Sequence, residues 1–210
     1  MEPTIIRTFG TSNLEWEDWL DRLRSLQKNH GVGMVVDVRS IPHSKRHPWF
    51  DGPALRKQLN QSGFEYWYLG KSLGGRPVQK SLYHPEGHAW FARIQQTQVF
   101  QTALSRLISA SRQLGSVLIC GEEDPIICHR GLMIAPALTH LGVTVLHIRR
   151  GLLVETTPAF EVRLIRASGV DPAQGSLFDG PLESSPLEAA YEWANRKSAF
   201  RFDPAFAIDP

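Results

Sequence analysis

Residues 120–130 (CGEEDPIICHR) place two thiols, three carboxylates, an imidazole and a guanidinium on one short stretch. A carboxylate at a strand end, such as Glu122 or Glu123, can act as a general base or a covalent nucleophile. Cys128 stands just before a helical pattern. There the positive end of the backbone dipole, with His129 and Arg130, would favour its thiolate. Glu122, Cys128 and His129 are therefore the candidate catalytic residues. Cys120 reads as a small buried residue, because free cysteine is commonly buried. Arg130 reads either as a phosphate ligand or as an internal partner of Glu122 or Asp124. The spacing of Cys120, Cys128 and His129 is not that of a zinc knuckle. A fourth ligand would have to come from afar, from His43 or His147, so neither a metal nor a cofactor is expected. Cys128 and Arg130 also stand too close together for a phosphatase loop.

These groups need a scaffold, and the flanking pattern supplies one. The apolar run 116–120 before the loop has the character of a buried strand, and residues 131–141 after it have helical spacing that Gly142 ends. Further strands are expected over residues 4–9, 32–38, 64–69 and 143–148. Ser12 or Asn13 is placed to cap a first helix with an apolar stripe that includes Trp16, Trp19 and Leu23. Pro53 fits the first turn of a short helix closed by Gly63. A long loop over 70–88 precedes a helix over 89–113, and a short helix over 158–167 closes the series. Alternating strands and helices predict an α/β fold: three layers, with a mostly parallel five-stranded sheet and helices on both faces. From Gly169 the composition shifts to Pro, Gly, Ser and Asp. The chain therefore divides into an α/β domain over 1–168 and a tail over 169–210, with one weak helix near 187–197.

In an open parallel sheet, ligands bind beyond the carboxyl ends of the strands. The turns after the first four strands should share that edge. One carries Arg39, Ser44, Lys45 and Arg46 with His43 and His47. Another carries Lys71, Arg76 and Lys80 with the pair Gly74 and Gly75. Guanidinium forks and backbone amides bind phosphate. Arg39, Ser44, Arg46, Lys71, Arg76 and Arg130 are the candidate phosphate ligands, and Trp49 is a candidate base-stacking residue. The alternative is a solvated loop whose charges only keep it soluble.

Composition sets outer limits. A hydrophobic content of 42% and a charged content of 21% are those of an ordinary globular protein. A net charge of +2 excludes a grossly basic coat, though not a local basic site. No apolar run approaches the roughly 20 residues of a membrane helix, and the start of the chain has no signal-peptide pattern. Two cysteines give no disulfide framework, so a cytoplasmic setting is expected.

Residues 37–44 (DVRSIPHS), 68–75 (YLGKSLGG) and 120–130 together resemble the domain-of-unknown-function family numbered 488. The opening strand and the later Leu146, His147 and Ile148 fit as well, so the resemblance covers residues 4–150. Gly121 stands where that family usually has Ala. The resemblance implies a prokaryotic α/β domain with its site at these motifs, and it implies no settled activity. In the tail, Gln174, Leu177 and Phe178 resemble the short peptide by which bacterial repair and replication proteins dock on the sliding clamp.

The reading that results is an enzyme acting on a nucleotide or nucleic acid in DNA or RNA maintenance, cleaving or transferring at a glycosidic bond. Phosphoester hydrolysis would ask for a metal site that the sequence does not assemble. Two alternatives stand beside it. One is a non-catalytic nucleic-acid or nucleotide-binding module recruited through its tail; the other is a thiol enzyme with Cys128 as nucleophile.

Overall fold

β-branched and apolar runs form the strands of one sheet in the computed structural model, which describes residues 3–170 and 185–202. The strands are β1 (Ile5–Gly10), β2 (Val32–Asp37), β3 (Glu65–Tyr68), β4 (Gly115–Cys120), β5 (Thr144–Ile148) and β6 (Val154–Thr156). Their order across the sheet is β3-β2-β4-β1-β5-β6. The first five run parallel and β6 pairs antiparallel with β5. The α/β class is as expected, with six strands in place of five. The extra strand spans three residues, too few to show a period in the sequence.

Parallel strands covered on both faces are apolar nearly throughout, and β2 and β4 follow that rule. Their alternate side chains enter two cores. On one face Val35, Val117 and Ile119 pack against α1 (Trp16–His30) and α2 (Gly52–Gln61) through Trp19, Leu23, Leu55 and Leu59. On the other face Met34, Val36 and Leu118 meet α4 (Phe91–Gln95), α5 (Gln98–Gln113), α6 (Ala135–His140), α7 (Thr157–Ser168) and α8 (Pro186–Ser198), with Leu73 in the same core. Truncating one fully buried leucine here, such as Leu104, would cost about 2–5 kcal/mol.

Several local expectations change. The long helix expected over 89–113 is broken between α4 and α5, where the Thr97 side chain accepts from the Phe100 N–H and caps α5. The expected loop over 70–88 begins with a single helical turn, α3 (Gly70–Leu73). Helix α1 starts at Trp16 with no side-chain cap, so neither Ser12 nor Asn13 caps it. Ser12 instead takes a positive φ of 49° and donates its N–H to Gly121 O at 2.9 Å, which ties the β1 turn to the β4 turn.

Helix α8 packs on α7, and its Ala190 and Ala194 are completely buried in the same core. Its Asn195 Nδ2 donates to Ala89 O at 2.9 Å. Beyond it, Phe200 O accepts from Ala89 N at 2.8 Å, and Phe202 N donates to Gly87 O at 2.7 Å. The packed unit thus extends past residue 168. Gln174, Leu177 and Phe178 lie outside the described residues. Among the described residues, no helix is long and apolar enough to cross a membrane.

Candidate functional site

The loop after β4 is shaped by backbone contacts before any chemistry is considered. Thr11 N donates to Cys120 O at 2.8 Å, continuing the β1–β4 ladder into the turn. A Cβ at Gly10 would collide with the Glu122 carbonyl and the Glu123 Cα, so only glycine allows this approach. Arg130 is fully buried and donates to the carbonyls of Glu122 and Glu123. It therefore holds the loop from behind and does not reach the cleft, contrary to its reading as a phosphate ligand. Pro136 has no N–H to offer Leu132 O, and the chain takes a π turn over Arg130–Ile134 before α6 begins.

The three acids of the loop separate. Asp124 caps the turn Pro125–Ile127 by accepting from Ile126 N at 3.1 Å. It also pairs with Arg149 at 3.0 Å and Arg163 at 2.9 Å. Partial burial opposes its charge, but the Arg163 hydrogen bond prevails and holds its carboxyl below the usual range. Glu123 accepts from Arg150 N at 2.8 Å. Both acids engage arginines that follow β5, and Asp124 also reaches Arg163 of α7. Glu122 alone turns toward the cleft.

There Glu122 meets both thiols. Cys120 Sγ donates to Glu122 Oε2 at 2.9 Å, and Cys128 Sγ lies 3.2 Å from the same oxygen. His129 Nδ1 lies 3.8 Å from Cys120 Sγ and 3.9 Å from Cys128 Sγ. His129 Nε2 meets Val38 O at 3.0 Å, which requires the proton on Nε2 and leaves Nδ1 facing the sulfurs. Glu122 as a residue is open to the cleft while its carboxylate is turned inward, and packing around that carboxylate raises its pKa. The two buried thiols divide. The contact with Cys128, together with burial, pushes the Cys120 thiol up. Burial opposes ionisation of Cys128, yet the Cys120 hydrogen bond and the positive charge of Arg130 and His129 bring its pKa down. Burial likewise disfavours a charged His129, and the neighbouring Cys128 thiolate outweighs it and raises the ring's pKa. Cys120, read from the sequence as core, is thus buried and also part of the cluster.

The cluster forms the floor of a cleft of about 500 Å³. Its walls include Thr11, Ser12, Ser40, His43, Ser44, Arg76 and Phe50. Arg39 borders it, but its guanidinium is engaged: Nε donates to Asp37 Oδ1 at 2.9 Å and Nη1 to Phe50 O at 2.7 Å. Asp37 is fully buried, and Tyr66 Oη donates to its Oδ2 at 2.9 Å. Arg39 is thus mainly an internal partner. Arg76 lines the cleft with its guanidinium 4.5 Å from the centre of the Phe200 ring. Arg46 and Lys71 are exposed and do not line it. Trp49 donates from Nε1 to Leu14 O at 3.3 Å and packs against the α1 core, so Phe50 takes the place in the wall expected of Trp49. Gly74 packs against Gly70 O and Ser40, and Gly75 lines the cleft with its back to His129, where a Cβ would sit 3.0 Å from His129 Cβ.

Sequence reasoning missed the wall formed by Ser198, Ala199 and Phe200, which the return of the chain past α8 delivers. A signal was present: Ser185 and Glu188 form a capping box that announces a firm helix in a region of loop-like composition. The distant metal ligands considered from sequence do not arrive. His43 pairs with Asp51 at 2.6 Å, and His147 bonds Thr8 Oγ1 at 2.8 Å. Cys120, Cys128 and His129 nonetheless hold three ligand atoms within 4.8 Å of one another.

Among known proteins, the model of a family described as Domain of unknown function DUF488 matches residues 19–135. No curated protein matches the chain. A solved structure of a DUF442 protein from Shewanella putrefaciens CN-32 shares 15% identity over 95% of this chain and 91% of its own, with a TM-score of 0.31. At that level of likeness neither fold nor activity carries over.

Proposed function

The chain belongs to the DUF488 family, and from its site we propose an enzyme acting on a nucleotide, either free or extruded from nucleic acid. The observation that carries the proposal is the meeting of Glu122, Cys128 and His129 on the floor of a cleft of about 500 Å³. That volume falls in the range of small-molecule sites. The walls offer what a nucleotide asks for. Arg76 and the Ser44 hydroxyl would take a phosphate, the hydroxyls of Ser12 and Ser40 a sugar, and Phe200 a base face.

The proposed reaction is cleavage or transfer at the glycosidic bond. The bond from sugar to base breaks as a hydroxyl oxygen bonds to the sugar carbon. Protonated Glu122 gives its proton to the departing base, and the carboxylate so formed then takes one from the attacking hydroxyl and is restored. His129, held by Val38 O, positions the cysteine side of the floor.

The test incubates the full chain with free nucleotides, nucleosides and labelled single- and double-stranded oligonucleotides, with products resolved by chromatography. Turnover should fall about 10²–10⁴-fold in Glu122→Gln. Saturable, salt-dependent binding without product from any substrate would instead identify a non-catalytic module.

A further inference from the structure

The same floor has a property that the proposed proton transfers do not use. Cys120, Cys128 and His129 present two sulfurs and one ring nitrogen to a common point. In a tetrahedral zinc site, bonds of about 2.3 Å to sulfur and about 2.0 Å to nitrogen set sulfur and nitrogen about 3.6 Å apart. The two observed separations are 3.8 and 3.9 Å, long for hydrogen bonds and within a few tenths of an ångström of that edge. The ring is also prepared as a ligand. Its Nε2–H is anchored on Val38 O, which turns Nδ1 toward the sulfurs and makes Nδ1 the ring atom that ligates once the ring is neutral.

We propose that Cys120, Cys128 and His129 bind a divalent cation of the zinc class, leaving a fourth position open to the cleft beside Glu122. Thiolate and imidazole donors select zinc over the hard cations that carboxylates and carbonyls hold. Two thiolates balance the charge of the ion, so the occupied site is neutral. Cys120 and Cys128 both line the floor of the cleft although they are only 4% and 2% exposed. Three protein ligands with one open position make a catalytic zinc site, as against a closed structural one. The bound ion would supply an activated water, with Glu122 placed to move its proton.

A second cluster among the described residues, His84, Glu86 and His88, lacks these features. Its Glu86 carboxylate already pairs with Arg196 at 3.3 Å, and Arg201 donates to the Glu86 carbonyl. Cationic neighbours make it a poor home for a cation, and it serves as the internal control.

The inference rests on the proposed enzyme only for the role of the ion, because binding is read without substrate. The full chain, produced in zinc-supplemented medium and purified without chelators or metal resin, is assayed for metal by mass spectrometry. About one zinc per chain is expected, with an at least tenfold loss of zinc affinity in His129→Ala and no change in His84→Ala. Replacing zinc by cobalt in the wild-type chain should give thiolate-to-cobalt charge-transfer absorption and the visible bands of a tetrahedral ion. This readout stands even where a cysteine variant fails to fold. Wild-type protein with no stoichiometric metal and no cobalt bands overturns the site, as does zinc that follows His84 rather than His129. Metal-free protein that still turns over nucleotides removes the ion and leaves the enzyme. Zinc-loaded protein inert toward every nucleotide does the reverse.

Discussion

β2 and β4 are neighbours in the sheet, and a carboxylate and a guanidinium follow the last apolar residues of each, with opposite results. At β2 the pair is closed. Asp37 is fully buried and is gripped by Arg39 through two contacts, with Tyr66 as a further donor. At β4 the guanidinium of Arg130 is committed to two backbone carbonyls, and Glu122 is left to two thiols that His129 flanks. Burial and charge push Tyr66 up at the first site without setting its groups against one another. At the second, Cys120 rises while Cys128 falls, so neighbouring acids contend for the same proton. A charged residue at the functional edge of a sheet is therefore no guide to function by itself. What matters is whether its partner lies inside the fold.

The sharpest way to break this contrast is to open the closed pair. Arg39→Ala strands a buried carboxylate, and chemical denaturation should show a loss of roughly 3–5 kcal/mol. A loss below about 1 kcal/mol would return Arg39 to the pool of free ligands. The open site predicts the reverse pattern. Glu122→Gln should shift stability by no more than about 0.5 kcal/mol while lowering turnover about 10²–10⁴-fold, so the two variants exchange their phenotypes. A Glu122 variant as unstable as the Arg39 variant would erase the distinction.

His147 sharpens the comparison with a third solution, a buried group kept neutral. Burial, and then the positive charges of Arg130 and Arg163, lower its pKa to about 3, against weaker opposite pulls from Cys128 and Asp124. A histidine with a lowered folded-state pKa carries no penalty above its ordinary value of 6.5. Below that value the unfolded chain takes up the proton first, so stability falls as pH drops from 6.5 toward 3. The loss should reach a few kcal/mol, and His147→Gln should flatten the slope in thermal melts. Parallel profiles for variant and wild type would show that the ring titrates freely. The smallest effect belongs to the partly exposed network of Asp124, Arg149 and Arg163, whose side chains keep about a quarter of their surface in solvent. Asp124→Asn should cost about 1 kcal/mol by denaturation, well under the Arg39 figure.

Part of this contrast was within reach of the sequence. Asp37 and Arg39 stand two apart where a strand ends, but the sequence set Arg39 among the phosphate ligands, because a spacing of two does not say whether a side chain turns inward or toward the edge. The chemistry of residues 120–130 was legible because residue type is local information, whereas the capping box at Ser185 was present but masked by loop-like composition around it. Other features were out of reach. That Arg46 and Lys71 miss the cleft depends on how their loops turn, and Trp49 and Phe50 differ only in which face of a short turn each presents. The wall at Phe200 depends on α8 packing through Ala190 and Ala194, small residues that make a close contact without a strong apolar stripe.

The sequence by itself determined the α/β alternation, the mostly parallel sheet and the loop where reactive groups concentrate. All of these follow from the order and period of apolar residues along the chain. Only the tertiary structure decided which reactive groups meet. Cys120 joined the cluster, Arg130 withdrew behind it, Glu123 and Asp124 turned away, and residues 198–200 came back to complete the cleft. The physical reason is that pairing of charges and close packing act through space between segments far apart in sequence. Their partners are chosen when the strands register and the helices settle, not by the residues beside them in the chain.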